Sequence, residues 1–228
     1  MRQYSDVSGS DAGGEARMIY AENIFICIVV PLLVSLLFIR DKVRHFVVFL
    51  MLGMSACLLS AYISAFLGSV NSAMPEETSV FISPVVEEIM KLIPVLFFLL
   101  VFEPDDESLI MGAVAIGMGF ATFENCCFIL SGSAESLTYM LIRGLAVGVM
   151  HIVCTVTVGY GLAFSQREGL IRASVPVGLL AFAATFHGLY NLLVSKPGIP
   201  SYIGFVLPIT VALVLRTSMR QKMPGGQE

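Results

Sequence analysis

Seven apolar runs, each long enough to form a membrane-spanning helix, constrain this chain more than any other feature. A helix needs about 20 mostly apolar residues to cross a bilayer. The sequence offers such runs at 18–39, 46–69, 79–102, 108–131, 138–164, 173–195 and 199–215. Turn residues or charges separate them: RDKVRH at 40–45, NSAMPEET at 71–78, EPDDE at 103–107, SGSAES at 131–136, SQREGLIR at 165–172 and SKPGIP at 195–200. Hydrophobic residues make up 57% of the chain and charged residues 13%. Soluble domains average about 45–50% and about 25%, so composition and pattern agree. The expected fold is all-α: a polytopic bundle of about seven spans in the lipid bilayer. No internal repeat is visible, which weighs against an inverted-repeat transporter.

The organisation follows from these runs. Residues 1–17 are polar and rich in Gly and Ser, and read as a disordered extracytoplasmic tail. Residues 18–216 form one transmembrane domain, and 217–228 a cytoplasmic tail. The first apolar run starts too late and is too long for a secretory signal, so it is expected to be retained as a span. Cys27, Cys57, Cys126, Cys127 and Cys154 all lie in apolar runs, and read as packed free thiols. No basic tract or zinc-knuckle spacing points to nucleic acid.

Basic residues orient a membrane protein, because cytoplasmic loops carry the excess of Lys and Arg. One side holds Arg40, Lys42, Arg44, Arg167, Arg172, Arg216, Arg220 and Lys222. The other holds Arg2, Arg17 and Lys196, while Lys91 and Arg143 fall inside spans. The C-terminus is therefore expected in the cytoplasm and the N-terminus outside.

Charged groups inside a span are costly and point to function by default. Glu87, Glu88, Glu124, His151 and His187 stand out. At about 1.5 Å per helical residue, Glu88 lies about 14 Å, Glu124 about 10 Å, His151 about 20 Å and His187 about 12 Å from the outer boundary. Four separate spans thus bring polar groups to one layer, as a shared site between packed helices requires. The site is expected in spans 3–6.

Each motif has a bland and a functional reading. In S-P-V-V-E-E-I-M-K, Glu87 and Lys91 are four apart and can pair on one helix face. That pair could simply fix packing, yet it leaves Glu88 without a partner. The functional reading makes Glu88 or Glu87 a general base holding a water. In G-M-G-F-A-T-F-E-N, Gly112, Gly117 and Gly119 allow close helix approach and bring Glu124 and Asn125 to a neighbour. Asn125 could serve an interhelical hydrogen bond or the site. In F-H-G-L-Y-N, His187 and Asn191 share a face and could donate to an oxyanion. Alternatively Glu124, His151 and His187 make a zinc set, although there is no H-E-x-x-H. Arg143, near the outer end of its span, reads as snorkelling to headgroups, with a carboxylate or substrate contact as the alternative. Asp105 and Asp106 read as N-caps of the fourth span. No span serine or cysteine has a base at nucleophile spacing.

Taken together, P-V-V-E-E-I-M-K, G-F-A-T-F-E-N, the histidine of R-G-L-A-V-G-V-M-H and F-H-G-L-Y-N resemble the PrsW intramembrane protease family. That family is akin to CAAX-type and bacteriocin-processing membrane proteases. The resemblance covers roughly residues 80–195. It implies a catalytic double glutamate, Glu87 and Glu88, supported by Glu124, His151 and His187, with Lys91, Asn125 and Asn191 nearby. It also implies a single-pass membrane protein as substrate, by association with site-1 cleavage of an anti-sigma factor. CAAX-type enzymes carry arginine after the paired glutamates where this chain has Lys91, which argues against prenyl-protein processing. Two other classes fit buried ionisable groups: an ion- or proton-coupled transporter using them as a relay, and a non-catalytic membrane scaffold.

Overall fold

The computed structural model describes residues 10–130, 137–167 and 174–222. The start of the expected tail, the SGSAES break, most of the SQREGLIR break and the chain after residue 222 lie outside the described residues. All described elements are helical: α1 (Ser10–Ser35), α2 (Asp41–Val70), the single turn α3 (Pro75–Glu77), a π-helical turn (Thr78–Ile82), α4 (Ser83–Phe102), α5 (Asp106–Leu130), α6 (Leu137–Arg167), α7 (Ser174–Val194) and α8 (Ile199–Lys222).

The seven long helices fall on the seven expected runs. Helices α2, α5, α6, α7 and α8 are long and apolar enough to cross a membrane. Helix α4 has 20 residues but carries Glu87, Glu88 and Lys91. Helix α1 begins at Ser10 rather than at Met18, so part of the expected tail is helical. Ala, Glu and Arg in that stretch are good helix formers. Helix α8 continues to Lys222, past the expected end at 215.

Helix α5 is the centre of the bundle, packed against α2 on one side and α6 on the other. Close approach is built in by glycine. A Cβ on Gly53 would sit 2.1 Å from the Ile116 carbonyl oxygen, and one on Gly119 would sit 2.0 Å from that of Leu50. The backbones of α2 and α5 therefore touch, as small residues allow between membrane helices. Helix α7 packs on α6 and α4, α8 on α6 and α7, and α1 on α2.

Helix α4 is inside-out for a soluble protein but ordinary for a lipid-facing one. Its buried face carries Glu88, Lys91, Leu92, Val95 and Leu99, while Val85, Ile89, Ile93, Phe97 and Leu100 are exposed. Across the molecule such exposed apolar side chains are far too many for water, where large apolar patches are rare. The core centres on Ala115, Ile116, Phe123, Leu162 and Ala183, all essentially inaccessible. The five cysteines are free, as expected, but only Cys57 and Cys154 are packed inside, and Cys27 is exposed.

The break before α5 also reads as expected in part. Asp105 is the cap: its Oδ1 accepts the Ser108 backbone N–H at 2.7 Å. That hydrogen bond holds the Asp105 carboxyl below the usual carboxylate range. Asp106 is the first residue of the helix itself.

Candidate active site

The two glutamates of α4 point to different surroundings. Glu88 is buried, and its Oε1 accepts from Lys91 Nζ at 2.6 Å and from His187 Nδ1 at 2.9 Å. The expected Glu87–Lys91 pair is thus replaced by a Glu88–Lys91 pair at i,i+3. Both spacings put side chains on one helix face. Residues from α6 and α7 decide between them. Lys91 Nζ also lies 2.9 Å from His151 Nδ1 on α6, and its charge rests 4.8 Å above the Phe120 ring.

From His151 the network continues to α5. His151 Nε2 hydrogen-bonds Glu124 Oε2. Glu124 Oε1 accepts from Arg143 Nη2 at 3.2 Å. Arg143 Nη1 donates to Asn125 Oδ1 at 2.8 Å, and its guanidinium stacks 3.5 Å from the Phe128 ring centre. Asn125 Nδ2 reaches the Gly144 carbonyl at 3.4 Å. Arg143 therefore turns into the bundle toward a carboxylate; it does not snorkel to headgroups. Asn125 ties α5 to α6 and holds Arg143.

Hydrogen-bond logic assigns the tautomers. An ammonium only donates, so His151 Nδ1 accepts from Lys91 and its Nε2–H donates to Glu124. An ionised carboxylate only accepts, so His187 donates Nδ1–H to Glu88 and keeps a lone pair on Nε2. That lone pair faces Glu87 Oε2 at 3.7 Å. Two acceptors facing each other need a proton or a cation between them. With Glu87 protonated, Glu88 and Glu124 balance the two permanent cations, Lys91 and Arg143; with Glu87 ionised and the histidines neutral, one negative charge is in excess.

Glu87, His151 and His187 each offer one donor atom, and these lie within 4.8 Å of one another. Two imidazoles and a carboxylate with an open fourth position suit a catalytic zinc. The residues fit. His187 is oriented by Glu88 through Nδ1, the usual support for a metal-binding histidine, and Glu87 is unencumbered. His151 fits through Nδ1 once Lys91 moves off it, with Nε2–H still held by Glu124. The donor set expected from residue types alone had Glu124 in place of Glu87; Glu124 instead pairs with His151 and Arg143.

The site opens to one side. A groove of about 590 Å³ runs between α1, α2, the α3–π turn, α4 and α5. Glu87 and Glu124 line it, and Glu88 does not. The expected partner of His187, Asn191, is placed elsewhere: its Nδ2 donates to the Ser79 carbonyl at 2.9 Å. Pro84 explains this. It has no N–H, and the Ser83 N–H already reaches Thr78 O in the π turn. The Ser79 carbonyl therefore lacks its next backbone donor, and Asn191 supplies one. Gly188 lets α7 come this close; a Cβ there would sit 3.2 Å from the Val80 carbonyl oxygen.

All five candidate residues and Lys91 thus join one connected cluster. Arg143 belongs to it more firmly than its position near a span end suggested. No curated protein and no solved structure matches the chain. The sequence model described as PrsW family intramembrane metalloprotease matches residues 41–216. With the motif order and the buried cluster pointing the same way, this chain belongs to the PrsW family of intramembrane metalloproteases.

Proposed function

We propose that this protease hydrolyses a peptide bond of a membrane-anchored protein at the groove-facing carboxylates, near the extracytoplasmic side. The observation that carries the reading is the Glu87–His187 Nε2 pair, opposed at 3.7 Å beside an open groove. A single-span anti-sigma factor is the substrate class we infer from the family. Family membership favours this over the transporter and scaffold readings. The excess of Lys and Arg at 40–44, 167–172 and 216–222 supports a cytoplasmic C-terminus and an external N-terminus. In that orientation the groove, formed by the end of α2 and the start of α4, faces outward.

Glu87, His151 and His187 would hold the metal, with zinc the best match to the donor types. When bound, such an ion lowers the pKa of its water and polarises the scissile carbonyl. The protein's own groups do the rest. Glu88 fixes the His187 tautomer, and Lys91 offsets the Glu88 charge. Glu124 is the other carboxylate on the groove. Its oxygens keep lone pairs beyond those that His151 and Arg143 use, so Glu124 can take the proton of the attacking water and return it to the leaving amine. Arg143 and Asn125 keep Glu124 in place.

The test is cleavage of a single-span reporter in proteoliposomes, paired with metal analysis. Activity lost on chelation and restored by zinc supports the reading. A metal-free preparation with full activity would overturn the metal assignment, and full activity in Glu87→Gln would overturn the site.

A further inference from the structure

The wall of the groove opposite Glu87 is one face of α2. Cys57, Ser60, Ala61, Ser64, Ala65 and Gly68 line it, spaced three or four apart. Elsewhere on α2 a small residue closes a helix contact, as Gly53 does against α5. Here Gly68 does the same against the π turn, where a Cβ would sit 2.8 Å from Thr78 Oγ1, while Cys57, Ser60, Ala61, Ser64 and Ala65 border the groove.

Among them Ser64 has an unmet need. The residue is 5% exposed, and its hydroxyl has no hydrogen-bond partner. Three other groove serines satisfy theirs locally. Ser60 Oγ donates to the Cys57 carbonyl at 2.8 Å, Ser69 Oγ to Phe66 at 2.7 Å and Ser79 Oγ to Glu76 at 2.9 Å. A helical serine usually does the same, so the orphaned hydroxyl at Ser64 points to a ligand.

We propose that Ser64 and the small-residue face of α2 form the peptide subsite of the groove, where a stretch of the substrate lies extended and pairs its backbone with the Ser64 hydroxyl. This rests on the proteolytic reading above. A peptide bond must leave its helix to be attacked, and its N–H and C=O then need partners inside the bilayer. A hydroxyl both donates and accepts, so it serves either group. From Cys57 to Gly68 the wall runs about 16 Å, the span of about five extended residues. Small side chains let that backbone approach α2 and pass along the groove that Glu87 and Glu124 line.

The test separates binding from cleavage. Glu87→Gln protein in nanodiscs is titrated with a dye-labelled single-span peptide carrying an Ala-Gly-Ser-Ala stretch at its outer end. Adding Ser64→Ala is expected to weaken binding about fivefold, the loss of one hydrogen bond. Ser64→Thr keeps the hydroxyl and restores binding. The thermal midpoint of Ser64→Ala stays the same or rises, because an unpaired buried group has been removed. Unchanged affinity in Ser64→Ala overturns the subsite, and so does a loss matched by a fall in thermal midpoint. In the otherwise native protein, Ser64→Ala raises KM by a similar factor with kcat within about twofold. Absence of cleavage by the native protein, with Ser64-dependent binding intact, would instead count against the proteolytic reading alone.

Discussion

Lys91 Nζ sits 2.6 Å from Glu88 Oε1, and the neighbouring Glu87 is left facing His187 and the groove. One ion pair thereby gives two adjacent, chemically identical side chains different surroundings. Glu88 is held in the interior, and Glu87 lines the groove.

Substitutions at the two positions should therefore fail differently. Glu87→Gln is expected to abolish cleavage with an unchanged thermal midpoint. Glu88→Ala strands a buried ammonium, a change that typically costs about 3–5 kcal/mol, so its thermal midpoint should fall sharply. Circular dichroism melts beside reporter cleavage would read both. A stable, active Glu88→Ala protein would contradict the pairing.

Metal content provides an independent measurement. His187→Ala and Glu87→Gln each remove one donor, and the purified variants should hold less than a tenth of the native zinc. Glu88→Gln keeps every donor but weakens the hold on His187. Loss of such a supporting partner typically costs about 10–100-fold in affinity. Native zinc content in all three would move the metal elsewhere or exclude it from this cluster.

The α2–α5 contact makes a packing prediction. Gly119→Ala places a methyl group 2.0 Å from the Leu50 carbonyl oxygen, a backbone atom that cannot rotate away. Overpacking of this kind typically costs about 1–3 kcal/mol. Because Glu124 lies five residues further along α5, cleavage should drop as well. Gly148→Ala, where no atom lies within 4 Å, is the control and should melt like the native protein.

Asp105 predicts a pH effect outside the membrane. Its carboxyl is held below the usual range by the Ser108 N–H, so the ionised cap stabilises the folded state. A folded-state pKa below the unfolded one, about 3.9, adds stability at neutral pH and loses it as pH falls through the folded value. Asp105→Ala should melt lower than the native protein at pH 7, by an amount near 1 kcal/mol for a cap. The gap should shrink as pH falls below about 4. A constant gap across that window would show that charge plays no part.

Much of this architecture was legible without coordinates. Span lengths follow from bilayer thickness, which admits only long apolar helices. The levels of Glu87, Glu88, Glu124, His151 and His187 along their helices follow from helical rise, and matching levels already pointed to a shared site. What local geometry leaves open is azimuth. Lys91 can reach Glu87 at i,i+4 or Glu88 at i,i+3, and only His151 and His187, arriving from α6 and α7, settle the choice. The same reason governs Arg143, which the bundle offers Glu124, Asn125 and Phe128 instead of headgroups. It governs Asn191, drawn to the Ser79 carbonyl by a proline about a hundred residues away, and Ser64, whose missing partner shows only once the groove exists. The sequence by itself determined the long helices and the charges that each carries. The tertiary structure decided which of those charges meet, because the direction of a side chain around its helix is set by the helices that pack against it.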